Sequence, residues 1–155
     1  MNPLPMQALA KFLAVASLLF ATLARGATFD LQTATLADIN AAMDAGALSS
    51  EKLVGLYPAR IGADDQAGPR SNSIITHNAK ALETARALDA ERKAKGPRSP
   101  LHGVPVVLKD LFDTKDLPTS GGFLPLKTSQ PLYDATVVAR LRAAGAIILA
   151  KVNMS

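Results

Sequence analysis

The sequence has no cysteine, no tryptophan and only two histidines. Without cysteine there can be no disulfide staple, no zinc thiolate and no thiol nucleophile. His77 and His102 are too few and too far apart to frame a metal site, and they give little support to a Ser-His-Asp arrangement. Aromatic residues make up 5% of the chain, too few for the stacking platforms that grip single-stranded nucleic acid. Charge of one sign is also scarce. The formal net charge is +4, but Lys11 and Arg25 fall in an N-terminal leader, and without them 15 basic residues face 13 acidic ones with no long basic run. No nucleic-acid partner is expected on that balance. Neither a G-x-G-x-x-G after a strand nor the phosphate-loop spacing occurs, which argues against a small nucleotide-binding domain. No cofactor and no metal are expected.

Hydrophobic residues are 48% of the 155 positions, enough for one domain with a real core. The first apolar run has the form of a secretory signal. Lys11 precedes thirteen residues from Phe12 to Ala24, too few to span a bilayer, which takes about 20. Small residues at Ala24 and Gly26 suit cleavage before Ala27. The reading is therefore a signal peptide over 1–26 and an exported mature chain over 27–155, periplasmic or extracellular, with no stable membrane span once the signal is removed.

Three helices are predicted before residue 97. Thr35 caps the first, with Asp38 three residues on as a capping box, Leu36, Ile39 and Met43 on one face, and Gly46 at its end. Ser50 caps the second, with Leu53, Val54 and Tyr57 inward and a kink or stop near Pro58. Residues 62–72 read as a surface loop. The third runs over 78–95 with Leu82, Ala85 and Leu88 at helical spacing and its charged residues on a solvated face.

The stretch around which the chain is organised is Pro100-Leu101-His102-Gly103-Val104-Pro105-Val106-Val107-Leu108-Lys109-Asp110. Residues 104–108 are continuous and apolar, as in a strand covered on both faces. Residues 113–133 carry three prolines and Gly121-Gly122 and read as loop. Asp134 is the expected cap of a helix with Val137, Val138, Leu141 and Ala144 inward, Arg140 and Arg142 outward, and Gly145 just past its end. Residues 146–150 form a second buried strand. Strand, helix, strand gives an α/β class with a parallel crossover.

Sites in open α/β sheets form at the carboxyl ends of strands, which is where Lys109 stands. Flanked by Val107, Leu108, Leu111 and Phe112, its amine is open to two readings. A partly desolvated amine can serve as general base or nucleophile. An ordinary lysine would reach solvent or pair with Asp110. Thr119-Ser120-Gly121-Gly122 is either a plain turn or a turn whose N–H groups face an anion. His102 reads as a loop histidine without an orienting carboxylate.

The segment from Pro100 to Asp110, then Pro118-Thr119-Ser120-Gly121-Gly122, Asp134-Ala135-Thr136-Val137-Val138, Leu141-Arg142-Ala143-Ala144-Gly145-Ala146 and Lys151-Val152-Asn153-Met154, resembles the amidase signature family in order, spacing and residue type. The likeness extends more weakly back to Thr35. One departure is Gly122, where that family often has serine. The resemblance implies helices wrapping a mixed, largely parallel central sheet, of which this chain would supply an N-terminal, incomplete part, truncated before the serine-rich motif. It also implies hydrolysis of carbon–nitrogen bonds in small-molecule or peptide amides by a Ser–cis-Ser–Lys triad, with Lys109 as the base acting through the bridging serine. Ser120, Ser129 and Ser155 do not match the two serine positions, so the chain alone is expected to be inactive. The alternative is an exported binding or interaction remnant that keeps the start of the fold without the chemistry.

Overall fold

A computed structural model describes residues 30–154. The signal read over 1–26 and Ser155 lie outside the described residues. The chain divides into two compact units, 1–34 and 35–155. In the first, Asp30 closes a short turn, accepting Gln32 N–H at 2.9 Å on Oδ1 and the Thr33 hydroxyl at 2.9 Å on Oδ2.

The second unit opens with helix α1, Leu36–Asp44, and its capping box is formed as expected. Thr35 Oγ1 accepts Asp38 N–H at 3.2 Å, while Asp38 Oδ2 accepts Thr35 N–H at 2.9 Å. Helix α2 spans Ser50–Arg60. Its cap is Ser49, one residue before the expected Ser50, because Asp89 already serves the next two donors. That carboxylate accepts Ser50 N–H at 2.7 Å and Glu51 N–H at 2.9 Å, supplying negative charge where the helix dipole is positive. Pro58 does not stop the helix. It sits in the last turn, so its missing N–H removes one bond, and the chain continues past it into a π-helical turn, Ile61–Ala67. The expected surface loop is thus helical at its start. It also turns a carboxylate inward: Asp65 is buried and accepts Ser73 N–H at 2.6 Å, the Ser73 hydroxyl at 2.7 Å and the Ser71 hydroxyl at 2.8 Å.

A short strand that the sequence did not announce, β1 (Ile74–His77), follows. Helix α3 covers Ala81–Lys95, starting three residues later than predicted. Asn78 is spent in the turn before it, its Oδ1 accepting Lys80 N–H at 2.9 Å and its Nδ2 donating to Ile148 O at 2.7 Å. Strand β2 (Pro105–Lys109), helix α4 (Thr136–Ala143) and strand β3 (Ile147–Val152) complete the unit. The loop before α4 holds one 3-10 turn, Leu124–Leu126.

The three strands make one mixed sheet in the order β1-β3-β2, with β2 parallel and β1 antiparallel to β3. One apolar cluster joins Ile147 and Leu149 to Val54 of α2 and Ala81, Ala85 and Leu88 of α3. A second joins Ile148 and Leu108 to Leu117 and Val138 of α4. β3 is buried from Ile147 to Lys151. Among the described residues β2 is not covered on both faces, contrary to what the sequence led one to expect. β2 lies at an edge of the sheet, and its core side carries Leu108 while Val107 is 50% exposed. Three details of α4 also differ, the first being that Val137, expected inward, is exposed. The cap of the helix is Ala135, because the Asp134 carboxylate accepts Lys115 N–H at 2.9 Å and pairs with Arg142 at 3.2 Å. Arg142 is accordingly drawn in toward Asp134 and Asp116, the latter 2.6 Å away, while Arg140 stays exposed.

Candidate active site

The carboxyl ends of the parallel pair β2 and β3 each carry a lysine, and the two lysines lie in opposite surroundings. Lys109 closes β2 and is exposed; Lys151 lies near the end of β3 and is fully buried. Strand alternation explains the first. Leu108 and Asp110 point into the core, so Lys109 shares the open face with Val107. The apolar wall that a desolvated amine would need does not form among the described residues. Val107 and Leu111 are themselves about half exposed, and Phe112 packs with Leu108 in the second cluster. Of the two readings of the Lys109 amine, the described residues give the exposed one.

A bulge explains the second. Val106 pairs with Ile148, but the next residue, Val107, pairs with Ala150. The extra residue, Leu149, reverses the alternation beyond it. Lys151 then falls opposite Leu108, on the face that carries Asp110. Its ammonium lies 3.1 Å from Asp110 Oδ1 and donates to Thr119 Oγ1 at 2.9 Å and Pro118 O at 3.2 Å. The ammonium thus donates two hydrogen bonds and faces the Asp110 carboxylate as an ion pair, with no exposure to water.

Asp110 is 0% exposed and held from several sides. Its Oδ2 accepts Ser120 N–H at 3.0 Å, the Ser120 hydroxyl, and Gly122 N–H at 3.4 Å. The Thr-Ser-Gly-Gly turn does face an anion, and the anion is the chain's own carboxylate. Burial alone would raise the Asp110 pKa, but the Ser120 hydroxyl, Lys151 and Ser120 N–H outweigh it and hold the carboxyl below its ordinary value. The backbone is held as well. Asp110 N–H donates to Val152 O at 2.9 Å, Gly121 N–H donates to Asp110 O at 3.1 Å, and Phe112 N–H donates to Lys109 O at 3.1 Å.

His102 is buried and structural. Arg98 N–H donates to Nδ1 at 3.3 Å, which leaves Nε2 to donate to Leu88 O at 2.9 Å. A groove of about 420 Å³ opens between α2, the π-helical turn and α3, lined by Val54, Pro58, Ile61, His77, Leu82 and Leu149, and it includes neither Lys109 nor Asp110. Among the described residues, no group of three His, Asp or Glu side chains could hold a metal ion, and no helix is long and apolar enough to cross a membrane.

Sequence reasoning singled out Lys109 as a candidate and missed the Asp110–Lys151 pair. The signal for that pair was weak but present. Two apolar strands both end in lysine, only the first lysine has an aspartate beside it, and a Ser-Gly-Gly turn follows that aspartate.

A parallel pair joined by a helix, with a buried acid–amine pair at its carboxyl end, is an α/β arrangement with its polar groups where such sheets carry sites. The family model described as Amidase matches residues 54–155, and the chain belongs to that family, the amidase signature family. A probable amidase of Arabidopsis thaliana is 43% identical over 131 residues, 83% of this chain and 25% of that protein. Among solved structures, native peptide amidase from Stenotrophomonas maltophilia superposes with a TM-score of 0.76 at 43% identity, covering 79% of this chain and 25% of that one. An amidase family protein from Bacillus anthracis str. Ames gives 0.74 at 41% identity, covering 79% and 24%. The fold is therefore that of the amidase signature enzymes, and the chain spans about a quarter of the length of the relatives it matches.

Proposed function

We propose that this chain carries the lysine of an amidase-type hydrolase that cleaves carbon–nitrogen bonds in amides. The observation that carries the reading is the position of Lys109, inside the family's motif and at the carboxyl end of a parallel strand, with its side chain on the open face. In the reaction, the Lys109 amine, acting as base, takes a proton from a bridging serine. That serine takes one from a nucleophilic serine, whose oxygen attacks the amide carbonyl. The proton returns through the same relay to the departing amine, and water then releases the acyl group as a carboxylic acid. Both serines would come from sequence other than these 155 residues, so the chain alone would not turn over amides at an enzymatic rate, since such a triad acts as a unit.

The test is Lys109→Ala in the full-length product that carries this sequence, assayed on a chromogenic anilide. A loss of turnover of about 10³-fold or more, with folding intact, is expected by analogy with other triads. Undiminished turnover would refute the role of Lys109.

Export by a signal over 1–26, with a mature chain from Ala27, belongs to the same proposal and rests on the apolar run from Phe12 to Ala24. N-terminal sequencing of the product from an exported fraction checks it. A product beginning at Met1 would overturn it.

A further inference from the structure

We infer that Asp110, clamped between Lys151 and the Ser120–Gly122 turn, is a positioning residue that fixes where the Lys109 amine stands. The inference rests on the reading of Lys109 as the base. It starts from the strand. Asp110 directly follows the last residue of β2 and still bonds to β3 through its N–H on Val152 O, so holding Asp110 holds the backbone from which Lys109 leaves on the opposite face. Asp110 has almost no freedom. One carboxylate oxygen faces Lys151 Nζ at 3.1 Å, and the other collects the Ser120 N–H, the Ser120 hydroxyl and the Gly122 N–H.

The pair also stands where the sheet stops holding the chain. The register of β2 against β3 ends at Lys109 opposite Val152. Past that point three backbone bonds continue to hold it: Asp110 N–H to Val152 O, Gly121 N–H to Asp110 O, and Phe112 N–H to Lys109 O. Among the described residues β2 pairs with a strand on one side and Val107 is half exposed, so within this unit the clamp on Asp110 adds to what strand pairing holds.

Stability alone is a poor account of the pair. Burying a carboxylate and an ammonium costs desolvation that their attraction roughly repays, and an apolar pair of similar volume often does as well. A leucine at 110 would fill space, but it could not bind the N–H groups of the 120–122 turn or hold the ammonium coming from β3. The carboxylate ties three segments to one point directly beside Lys109. Proton transfer needs that precision, because a misplacement of about 1 Å can cost about 10²-fold in rate.

The experiment is a double-mutant cycle in the full-length product, on the same chromogenic anilide. Asp110→Asn keeps the shape and removes the charge. In the presence of Lys109 it should lower kcat at least about tenfold with KM within about twofold, the split expected when an interaction is lost in the transition state alone. In a Lys109→Ala background it should change the residual turnover less than about twofold, because nothing remains to be positioned. Equal fractional losses in both backgrounds, or no loss in either, would overturn the proposal and leave the pair structural. If Lys109→Ala itself turns over normally, the base reading fails and this inference falls with it, whatever Asp110→Asn does. Should Asp110→Asn not fold, Asp110→Asn/Lys151→Met removes both charges and carries the same comparison; failure of both to fold would mark the pair as structural and refute the proposal.

Discussion

Two glycines offer a controlled test of how the parallel strands are joined. Gly46 follows α1 and Gly145 follows α4, and the two helix ends are alike in backbone. The cap residues Ala45 and Ala144 have φ of −74° and −71° and ψ of −6° and −8°. At each end the glycine N–H and the next N–H bond back onto the last turn: Gly46 to Met43 O at 3.0 Å and Ala47 to Ala42 O at 2.9 Å, Gly145 to Arg142 O at 2.9 Å and Ala146 to Leu141 O at 2.9 Å. Both are Schellman ends with a left-handed glycine, at φ of +71° and +88°. Alanine at either therefore carries the same backbone cost of about 1–2 kcal/mol. What differs is the space. A Cβ at Gly46 meets nothing within 4 Å, whereas at Gly145 it would lie 2.8 Å from His102 Nδ1 and 3.0 Å from His102 Cα. His102 cannot withdraw, because its ring is bonded to Leu88 O and Arg98 N–H and its neighbour Gly103 N–H donates to Gly145 O at 2.8 Å. Overpacking against backbone adds about 1–3 kcal/mol. Gly145→Ala should thus cost about 2–5 kcal/mol and Gly46→Ala about 1–2. Urea unfolding followed by circular dichroism measures both. Equal costs at the two positions would refute the claim that contact with His102, rather than backbone conformation alone, makes glycine necessary at 145.

The Asp110–Lys151 pair and the Asp65 nest make further predictions. Lys151→Met leaves a buried carboxylate without its cation and should destabilise the unit by about 3–5 kcal/mol, while Lys151→Met with Asp110→Asn should recover most of that; a double variant no better than the single would show that the pair is not coupled. Asp65, held to about 2 first by the Ser73 hydroxyl and then by Ser71, contributes stability that is complete above its ordinary value near 3.8 and is lost as the pH falls through the folded value. Acid titration of the unfolding midpoint should fall between about pH 4 and pH 2, and Asp65→Asn should flatten that limb. An unchanged limb in the variant would remove Asp65 from the account of acid stability.

Much of this unit could be read from local sequence, and what could not be read shares one cause. The capping box at Thr35, the inward face of α2 and the glycine after α4 are settled within a few residues, and they stand as expected. Strand β1 has only four residues and includes a threonine and a histidine; it is a strand because β3 pairs with it from the far end of the chain. The environment of Lys151 was equally out of local reach. Read by simple alternation, Lys151 belongs on the face of Ile147 and Leu149, and Asp110 looks like the partner of its neighbour Lys109. The bulge at Leu149 turns Lys151 toward Asp110, while alternation along β2 itself puts Asp110 and Lys109 on opposite faces and leaves Lys109 on the open one. The burial of Lys151 in a charge pair is therefore a property of register, whereas the outward placement of Lys109 follows from the alternation of β2 alone. Chemistry placed in this way should be sensitive to changes in the β2–β3 pairing that leave every named side chain intact.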